Sequence, residues 1–471
     1  MAGPRRRAPP PPATTAVPLW AVMLGLTAVV LAAAFALPPD TVRSANHRLR
    51  GRFRTADTVI LVVQDALRAD HASLCGYARP TTPALVALAA AGEARHSCAA
   101  VAPASWAIPS VASLFTGQPV PEHGVDTERR WTSDGTEVRP VVHPLPSAAV
   151  TLAERFVDQG YQTALVSENP LINDRSGLQQ GFFTTRVAPR YPGARGDFSA
   201  EALGTLLRTE LDPARPLFLT LVLAASHEPL SAVPGGINWL PRTSALGCFG
   251  VVSPTCAAFL DRRLRPADRE TFLTELNDLY DFGVSRSDAH LGHAIQELDR
   301  WGWRSGPWRM AVVGSNGTAL GEEGMLGAGN DVTEALVRVP LVLASSASSA
   351  LPVIAADMTL STLDVSAFLS GDTWVTHPVV SYGNRPAAPR RGSRDLATTR
   401  RAAAAWEGTR KSVWRDGAWF TVDLAEDPQG TYLSPLPGRP DGLIPDIDRW
   451  LDGVGRGPLD LPATAASPAP G

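Results

Sequence analysis

The stretch VILVVQ, residues 59–64, decides the fold class. It is a short, uncharged run rich in β-branched residues, which is typical of a strand buried on both faces of a parallel sheet. Similar apolar runs recur at residues 163–167, 217–225, 310–314 and 339–345. Helical patterns lie between these runs. The sequence therefore predicts an α/β fold whose mostly parallel sheet is covered by helices on both faces.

The helical patterns carry their own start signals. Thr82 is expected to cap the first helix, with Pro83 in its first turn, and Ser147 is expected to cap the second. Ligands of open parallel sheets bind beyond the carboxyl ends of the strands, so the loops that follow the strands are candidate sites. The predicted helices are residues 83–91, 147–158, 200–210 and 269–301, and the candidate loops follow residues 64, 225 and 314.

The charge balance argues against one class of partner. The chain has 43 Lys and Arg against 46 Asp and Glu, a formal net charge of −3, and Lys411 is its only lysine. Because there is no basic excess, the sequence does not favour nucleic acid as a partner. No pattern in the sequence specifies an oligomeric state.

The first part of the chain predicts a membrane segment. Residues 17–37 carry no charge, and a helix of that length can cross about 30 Å of hydrocarbon. Ala34-Phe35-Ala36 has the small-x-small form of a signal-peptidase site, which leaves a cleaved signal peptide as the alternative. We favour an uncleaved anchor, because the apolar run exceeds a usual signal core.

Arginines flank this segment on both sides and give opposite indications of its orientation. Positive charge counted alone favours a cytoplasmic location for the C-terminal side. Arg5, Arg6 and Arg7 nevertheless resemble the basic start of an export signal. We therefore expect a single-pass membrane protein with an extracytoplasmic domain. The arginines after the segment are Arg43, Arg48, Arg50, Arg52 and Arg54.

The four cysteines leave several pairings open. Cys248 and Cys256 lie in one insertion and could form a disulfide in an oxidising compartment, with Cys75 and Cys98 as the other pair. Four cysteines allow three connectivities, and unpaired buried thiols are an equal alternative. Their spacing is not that of a zinc site.

From about residue 376 the pattern changes. Residues 411–424 predict a β-hairpin with Asp416-Gly417 at its turn, and hence a small antiparallel subdomain. The predicted organisation is a cytoplasmic tail (1–16), a transmembrane anchor or signal segment (17–37), a basic linker (38–56), a core domain (57–375), a C-terminal subdomain (376–434) and a Pro/Gly-rich tail (435–471).

Five segments, in this order, resemble the sulfatases and their relatives in the alkaline phosphatase superfamily. Their order and spacing over roughly residues 57–430 are more specific than any single segment. They are VILVVQDALRADHASLCGYARPTTPAL (59–85), APASWAIPSVASLFTGQPVPEHGV (102–125), VTLAERFVDQGYQTALVSENPLINDRSGLQQGF (150–182), LYDFGVSRSDAHLGHAIQELDRWGW (279–303) and GSNGTALGEEG (314–324), the last followed by LVRVPLVL (336–343). The resemblance implies a three-layer α/β/α domain with a small antiparallel C-terminal subdomain.

The resemblance also implies a mechanism. Such enzymes hold one or two divalent cations with carboxylates at strand ends. A formylglycine made from Cys or Ser, or else a Ser or Thr, then attacks sulfur or phosphorus. This nucleophile lies just before x-Pro-Ser at a helix N-terminus, where the cation and the helix dipole stabilise the oxyanion.

At the position of that nucleophile the chain has an alanine. The pattern falls on Ala107-Ile108-Pro109-Ser110, and alanine has no atom that could attack. A shift by two places would put Ser105 at the position, but it would break the agreement at Pro109-Ser110. We therefore keep Ala107 and interpret Ser110 as a structural serine of the helix.

The implied metal ligands are incomplete. Asp65 retains the first carboxylate, at the end of the first predicted strand, either as a surviving ligand or as a helix cap and remnant of the fold. The late Asp-Asn pair of the family is Ser315-Asn316 here. Asn316 could donate a carbonyl oxygen, but a serine hydroxyl is a weak ligand for a hard cation. Ser315 is therefore a degenerate ligand position.

Two histidines of the family pattern are kept. His123 precedes Gly124-Val125, and His227 stands in SHEP, residues 226–229, where relatives have Pro-His-x-Pro. We interpret His227 as a hydrogen-bonded loop histidine rather than as a contact for an anion. A third motif histidine is replaced by Glu323, which with Glu322 we expect to be a solvated loop charge.

Together these losses predict a catalytically degenerate, sulfatase-like protein with a binding or scaffolding role. No cofactor is expected, although a residual calcium or magnesium ion is compatible with Asp65, and the pocket could take an anionic small molecule or a glycan. The alternative is an active metal-dependent hydrolase or transferase of sulfate or phosphate esters, built on Asp65, Asn316 and His227 with Ser105 or Glu323. A transferase for cell-envelope lipid head groups ranks last, because such relatives carry several membrane spans and a threonine nucleophile.

Overall fold

The computed structural model describes residues 55–447, except residues 92, 132–137, 192–197, 231–253, 330, 348–349, 356–357, 375, 386–399, 416, 439 and 441–446. The predicted membrane segment, residues 17–37, lies outside the described residues. Among the helices that are described, none is long and apolar enough to cross a membrane. The domain boundaries given above stay predictions.

One large central sheet and three smaller sheets contain the strands of the described residues. In chain order the strands are β1 (Thr58–Gln64), β2 (Ala94–Val101), β3 (Asp126–Trp131), β4 (Val138–His143), β5 (Gln162–Ser167), β6 (Thr184–Val187), β7 (Leu217–Leu223), β8 (Trp308–Gly314), β9 (Ala319–Leu320), β10 (Leu326–Gly327), β11 (Arg338–Ser345), β12 (Leu360–Ser361), β13 (Val379–Arg385), β14 (Arg400–Glu407), β15 (Arg410–Arg415), β16 (Ala418–Asp423) and β17 (Ser434–Pro435). The central sheet has the order β12-β2-β11-β8-β1-β7-β5-β6. It is mostly parallel, as predicted, since β1 is parallel to β7 and β8, and β5 to β6 and β7.

Strand β1 lies inside this sheet and is buried along its whole length. Successive side chains of a strand point to opposite faces. Accordingly, Val59, Leu61 and Val63 belong to one hydrophobic cluster, and Ile60 and Val62 belong to another. Burial on both faces explains why this run is apolar without alternation.

Helices cover both faces of the central sheet. In chain order they are α1 (Pro83–Ala90), α2 (Ala107–Thr116), α3 (Val120–His123), α4 (Leu152–Asp158), α5 (Phe198–Thr205), α6 (Pro254–Leu260), α7 (Pro266–Arg300), α8 (Glu334–Val337) and α9 (Val365–Ser370), and α5 continues as a π-helix over Leu206–Glu210. Helices α2, α4 and α9 pack in the cluster of Val59, whereas α1, α5 and α7 pack in the cluster of Ile60. The predicted layers are therefore confirmed.

One predicted helix cap is wrong, and the other is correct in position only. Thr82 is the residue before α1, with Pro83 in the first turn, but its hydroxyl makes no hydrogen bond to the helix and accepts from the Leu74 N–H at 3.1 Å instead. The second helix begins at Leu152 and is capped by Thr151, which forms a capping box with Glu154. The Thr-x-x-Glu spacing is a stronger start signal than Ser147, which stands too far before the helix.

One of the predicted apolar runs forms a strand that is antiparallel to its neighbours in the central sheet. Strand β11, from the run at residues 339–345, pairs antiparallel with both β2 and β8. Every residue of β11 after Arg338 is buried. Burial on both faces makes the sequence of β11 apolar without alternation, as in a parallel strand. The hydrophobic pattern therefore reports burial and not strand direction.

The C-terminal strands β13 to β17 form a separate antiparallel sheet. The predicted hairpin is confirmed as β15 and β16, and Gly417 in its turn has a φ of 85°. Buried Lys411 ties this sheet to the core, because its ammonium donates to Glu334 Oε1 at 2.8 Å. The other Glu334 oxygen accepts from Arg338 Nε at 2.7 Å. These two cations outweigh burial and lower the pKa of Glu334.

Disulfide bonds are present in the structure. Cys75 is bonded to Cys98, which joins the loop after β1 to β2. Cys256 is also disulfide-bonded, and its partner lies outside the described residues. The predicted pair of Cys75 and Cys98 is confirmed, and the alternative of unpaired thiols is wrong for the described cysteines.

Candidate functional site

The candidate site is built around the dipeptide Asp65-Ala66, where β1 ends. The Asp65 N–H donates to Leu223 O at 2.7 Å, and the Ser226 hydroxyl donates to Asp65 O at 2.6 Å. Ala66 has a φ of 58°, a left-handed conformation that L-residues other than glycine rarely adopt. The Tyr280 hydroxyl of α7 donates to Ala66 O at 2.7 Å. Backbone contacts to neighbouring elements thus fix the end of β1.

The Asp65 carboxylate accepts hydrogen bonds on both oxygens. Asn169 Nδ2, after β5, lies 2.7 Å from Asp65 Oδ2. Ser315 Oγ, after β8, lies 2.9 Å from Asp65 Oδ1. All three side chains are fully buried. The three candidate loops, after residues 64, 225 and 314, therefore meet at Asp65, together with a fourth loop after β5.

The orientation of the Asn169 amide is fixed by its own neighbours. Its Oδ1 accepts from the Leu171 N–H at 2.9 Å and from the Tyr191 hydroxyl at 3.1 Å. A backbone N–H can only donate, so Oδ1 faces Leu171 and the NH₂ group faces Asp65. Asn169 therefore presents a donor, and not a ligand oxygen, to the carboxylate.

Ser315 and Asn316 lie side by side against Asp65. The Ser315 hydroxyl accepts from the Ala66 N–H at 3.2 Å. Its single proton is within reach of Asp65 Oδ1 and also of Asn316 Oδ1, which is 2.7 Å away. Asn316 Nδ2 donates to Gly317 O at 2.6 Å. The structure thus brings together Asp65, Ser315 and Asn316, three of the residues that the sequence analysis selected.

His227 is joined to this group through Tyr191. The two rings stack with centroids 4.2 Å apart and planes 1° from parallel. His227 Nδ1 lies 2.6 Å from Glu228 O, and because a carbonyl only accepts, the proton of this pair is on Nδ1. Burial and the Asp65 charge hold the pKa of Tyr191 well above its usual range. His227 is therefore hydrogen-bonded within its own loop.

Ala107 is the first residue of α2, as the family pattern predicts. It is 6% exposed, and the preceding Trp106 makes no side-chain cap to the helix. The Ser110 hydroxyl donates to Ala104 O at 2.8 Å, so its structural interpretation is confirmed. Ser105 Oγ is buried and has no hydrogen-bond partner among the residues that the structure describes.

His123 serves a different part of the molecule. Its Nδ1 accepts from the Val125 N–H at 3.0 Å, so the ring proton is on Nε2, which donates to Ser113 Oγ at 2.8 Å. Burial lowers the pKa of His123 to about 3, and the ring is neutral at ordinary pH. Its hydrogen bonds therefore fix α2 to the turn after α3 rather than to the loop of Asp65.

Glu322 is partly exposed, as expected, but its carboxylate is also paired. Its Oε1 accepts from Arg68 Nη1 at 2.6 Å, and its Oε2 accepts from the Leu320 N–H at 2.6 Å. The buried Arg68 guanidinium also pairs with Asp70 at 2.7 Å. Glu323 remains exposed and lies 3.9 Å from Arg415 Nη1. The loop of residues 322–324 is thus tied to the loop that follows β1.

Three residues of this site were not selected from the sequence: Asn169, Tyr191 and Tyr280. The rule that ligands lie beyond strand ends would have found Asn169, because it follows the apolar run at residues 163–167. Tyr191 and Tyr280 gave no such signal. Their contacts with Asn169 and Ala66 depend on how distant segments pack.

The donor set around Asp65 does not fit a divalent cation. Calcium and magnesium take several oxygen ligands, mostly carboxylates. Among the described residues, Asp65 is the one carboxylate of its hydrogen-bonded group, and both of its oxygens face donors from neutral side chains. In the part of the chain that the structure describes, no group of three or more His, Cys, Asp and Glu could hold a metal ion.

Comparison with known proteins identifies the family of this chain and several solved structures with the same fold. The Sulfatase family matches residues 57–369, and no curated protein matches the sequence. Among solved structures, the phosphonate monoester hydrolase of Agrobacterium radiobacter aligns with a TM-score of 0.55 at 17% identity, over 80% of this chain and 91% of that one. A putative sulfatase from Bacteroides thetaiotaomicron has a TM-score of 0.55 at 15% identity, with coverage of 81% and 87%. A 2-O GAG sulfatase has a TM-score of 0.54 at 14% identity, over 85% of this chain and 90% of that one.

These structural matches share the fold of this chain. The match to the Sulfatase family extends over more than half of the chain and includes both Asp65 and Ala107. The chain therefore belongs to the sulfatase family.

Proposed function

We propose that this protein is a catalytically degenerate member of the family, anchored in a membrane, with a binding or scaffolding role. The observation that carries the proposal is Ala107. It stands at the first residue of α2, where the family mechanism places the attacking atom. A methyl group can neither attack an ester nor be oxidised to an aldehyde hydrate.

The closure of the site supports this proposal. Ala107 is 6% exposed, and Asp65, Ser315 and Asn316 are fully buried. A substrate would have to displace hydrogen bonds that already satisfy Asp65. A protein that acts through its surface would retain this packing, because the network joins the strand ends that shape the domain.

The charges beside Asp65 bear on the kind of ligand. An anionic molecule or a sulfated glycan, the ligands expected from the sequence, would need a positive counter-charge. The nearby Arg68 guanidinium is already paired with Asp70 and Glu322. Any such ligand would therefore bind outside the buried Asp65 group, which favours a scaffolding role over a pocket for anions.

The disulfides support an extracytoplasmic domain. Cys75 is bonded to Cys98, and Cys256 is bonded as well. Disulfides persist in oxidising compartments and are rare in the cytosol. Together with the uncharged segment at residues 17–37, they favour a single-pass protein whose domain lies outside the cytoplasm.

Turnover assays test the proposal. The full-length protein in detergent would be incubated with aryl sulfate, phosphate monoester, phosphate diester and phosphonate monoester substrates, with and without Ca²⁺, Mg²⁺, Mn²⁺ or Zn²⁺. We expect no turnover above a mock preparation. Turnover that co-purifies with the protein and disappears in Asp65→Ala would refute the proposal.

One observation favours the alternative of an active hydrolase with a rearranged site. The buried Ser105 hydroxyl, two residues before Ala107, makes no hydrogen bond within the described residues. If it acted as the nucleophile, turnover would be lost in Ser105→Ala and retained in Ser110→Ala. Because Ser110 already bonds Ala104, that variant is the matched control.

A further inference from the structure

The cost of removing the Asp65 carboxylate from water has to be offset, and hydrogen bonds in the structure offset it. A carboxylate removed from water is costly unless hydrogen bonds or opposite charges offset the loss. Asn169 Nδ2 and Ser315 Oγ approach its two oxygens at 2.7 and 2.9 Å. The Arg68 guanidinium is engaged by Asp70 and Glu322.

We propose that Asn169 and Ser315 replace a divalent cation as the partners of Asp65, so that this carboxylate is a cation-independent anchor of the sheet. The inference rests on the proposed function, since metal-dependent catalysis would require a cation at Asp65. It adds a role for the remaining site: the polar group stabilises the fold instead of serving chemistry.

The topology shows what the anchor holds. Strands β8, β1, β7 and β5 are consecutive neighbours in the central sheet. Asp65 follows β1, and its partners follow the other three strands: Ser315 after β8, Ser226 after β7 and Asn169 after β5. Asp65 therefore links the carboxyl ends of all four strands through hydrogen bonds alone.

The orientation of each donor excludes a cation in its place. The Leu171 N–H holds Asn169 Oδ1, so the amide nitrogen is turned toward Asp65. An amide NH₂ group cannot coordinate a cation. The Ser315 oxygen accepts from the Ala66 N–H, which helps to hold the left-handed backbone at that residue. To admit a cation at both oxygens of Asp65, both side chains would have to leave their present partners.

The geometry also predicts how a cation site could be created. Ser315 Oγ lies 2.9 Å from Asp65 Oδ1 and 2.7 Å from Asn316 Oδ1. In Ser315→Asp, a second carboxylate would replace the hydroxyl between these two oxygens. Two buried carboxylates repel each other, and a hard cation would relieve that repulsion with oxygen ligands from all three side chains.

Thermal unfolding of the full-length protein in detergent tests the inference. The wild-type protein should have the same Tm in EDTA and in millimolar Ca²⁺ or Mg²⁺. Ser315→Asp should lose about 5 °C or more in EDTA and recover with either cation. Ser315→Ala is the matched control: it removes the donor without adding charge, so it should lose stability in both buffers without recovery.

The wild-type measurement decides the question even if Ser315→Asp does not fold. A rise in the wild-type Tm with cation that is absent in Asp65→Asn would overturn the inference. A rise that persists in Asp65→Asn would place the cation elsewhere and agree with it. Turnover without a cation would refute the proposed function but not this inference. Cation binding at Asp65 without turnover would refute this inference but not the proposed function.

Discussion

The Asp288 carboxylate of α7 accepts a hydrogen bond from the backbone N–H of Leu85, in the first turn of α1, at 2.9 Å. Its other oxygen accepts from the Ala84 N–H at 2.7 Å. The first N–H groups of a helix have no partner within the helix, and here a residue some 200 positions away supplies it. One helix is thus capped by the side of another.

Removal of this cap should destabilise the protein. Asp288→Ala leaves two N–H groups of α1 without their acceptor, and we expect a loss of about 1–2 kcal/mol in the free energy of unfolding. Urea unfolding followed by circular dichroism measures it. Asp299→Ala, on the exposed end of the same helix, should change stability by less than about 0.5 kcal/mol. Equal effects of the two changes would contradict the capping role.

His123 should make the protein sensitive to acid. Burial lowers its pKa to about 3, whereas an unfolded histidine has a pKa of about 6.5. Below pH 6.5 the unfolded state therefore takes up a proton that the folded state does not, and stability falls as pH falls, by about 1.4 kcal/mol per pH unit from this residue.

The pH dependence of urea unfolding between pH 7.5 and 5 checks this expectation. In His123→Gln the slope should decrease by the contribution of one group, although the variant is less stable overall. His96→Gln, at an exposed position, is the control and should keep the wild-type slope. An unchanged slope in His123→Gln would show that His123 is not the group responsible.

Ala66→Gly should preserve or increase stability. Ala66 has a φ of 58°, and a left-handed conformation costs a residue with a Cβ roughly 1–2 kcal/mol. Glycine avoids this strain, and its greater freedom in the unfolded chain offsets part of the gain, so we expect an increase of up to about 1 kcal/mol.

The same substitution elsewhere provides the contrast. Ala112→Gly, inside α2, should lose about 1 kcal/mol or more, because glycine is unfavourable in a helix interior. Both values come from urea unfolding. A clear loss at Ala66, comparable to the loss at Ala112, would show that the Ala66 methyl makes packing contacts that outweigh its strain.

Lys411 should be among the most sensitive positions of the C-terminal sheet. Lys411→Met removes one partner of the buried Glu334 carboxylate, and the loss of one member of a buried ion pair costs about 3–5 kcal/mol. Glu334→Gln should by itself be costly as well. If the charges compensate each other, the double variant should lose less than the sum of the two single losses. Additive losses in chemical unfolding would contradict the coupling.

The central sheet could be predicted from the sequence because its strands are buried on both faces. That burial imposes largely apolar, non-alternating runs at residues 59–64 and 217–225. It does not encode direction, which is why the antiparallel pairing of β11 was not foreseen. Strand direction depends on the length and path of connections rather than on the strand itself.

The candidate site was predicted in part for a related reason. Asp65 and Ser315 follow apolar runs, so their position at strand ends is a local property of the sequence. Asn169 and Tyr191 act through contacts between separate loops, and those contacts exist only once β5 lies beside β7. The capping role of Asp288 has the same origin: a partner distant in the chain is invisible to any local pattern.

The burial of Lys411 also makes the chain its own conformational reporter. It is the only side-chain amine of the sequence, and it is 1% exposed. Amine-reactive reagents should therefore modify only the α-amino group while the domain is intact. Acylation of Lys411, measured by peptide mass mapping, would therefore report how often the C-terminal sheet separates from α8.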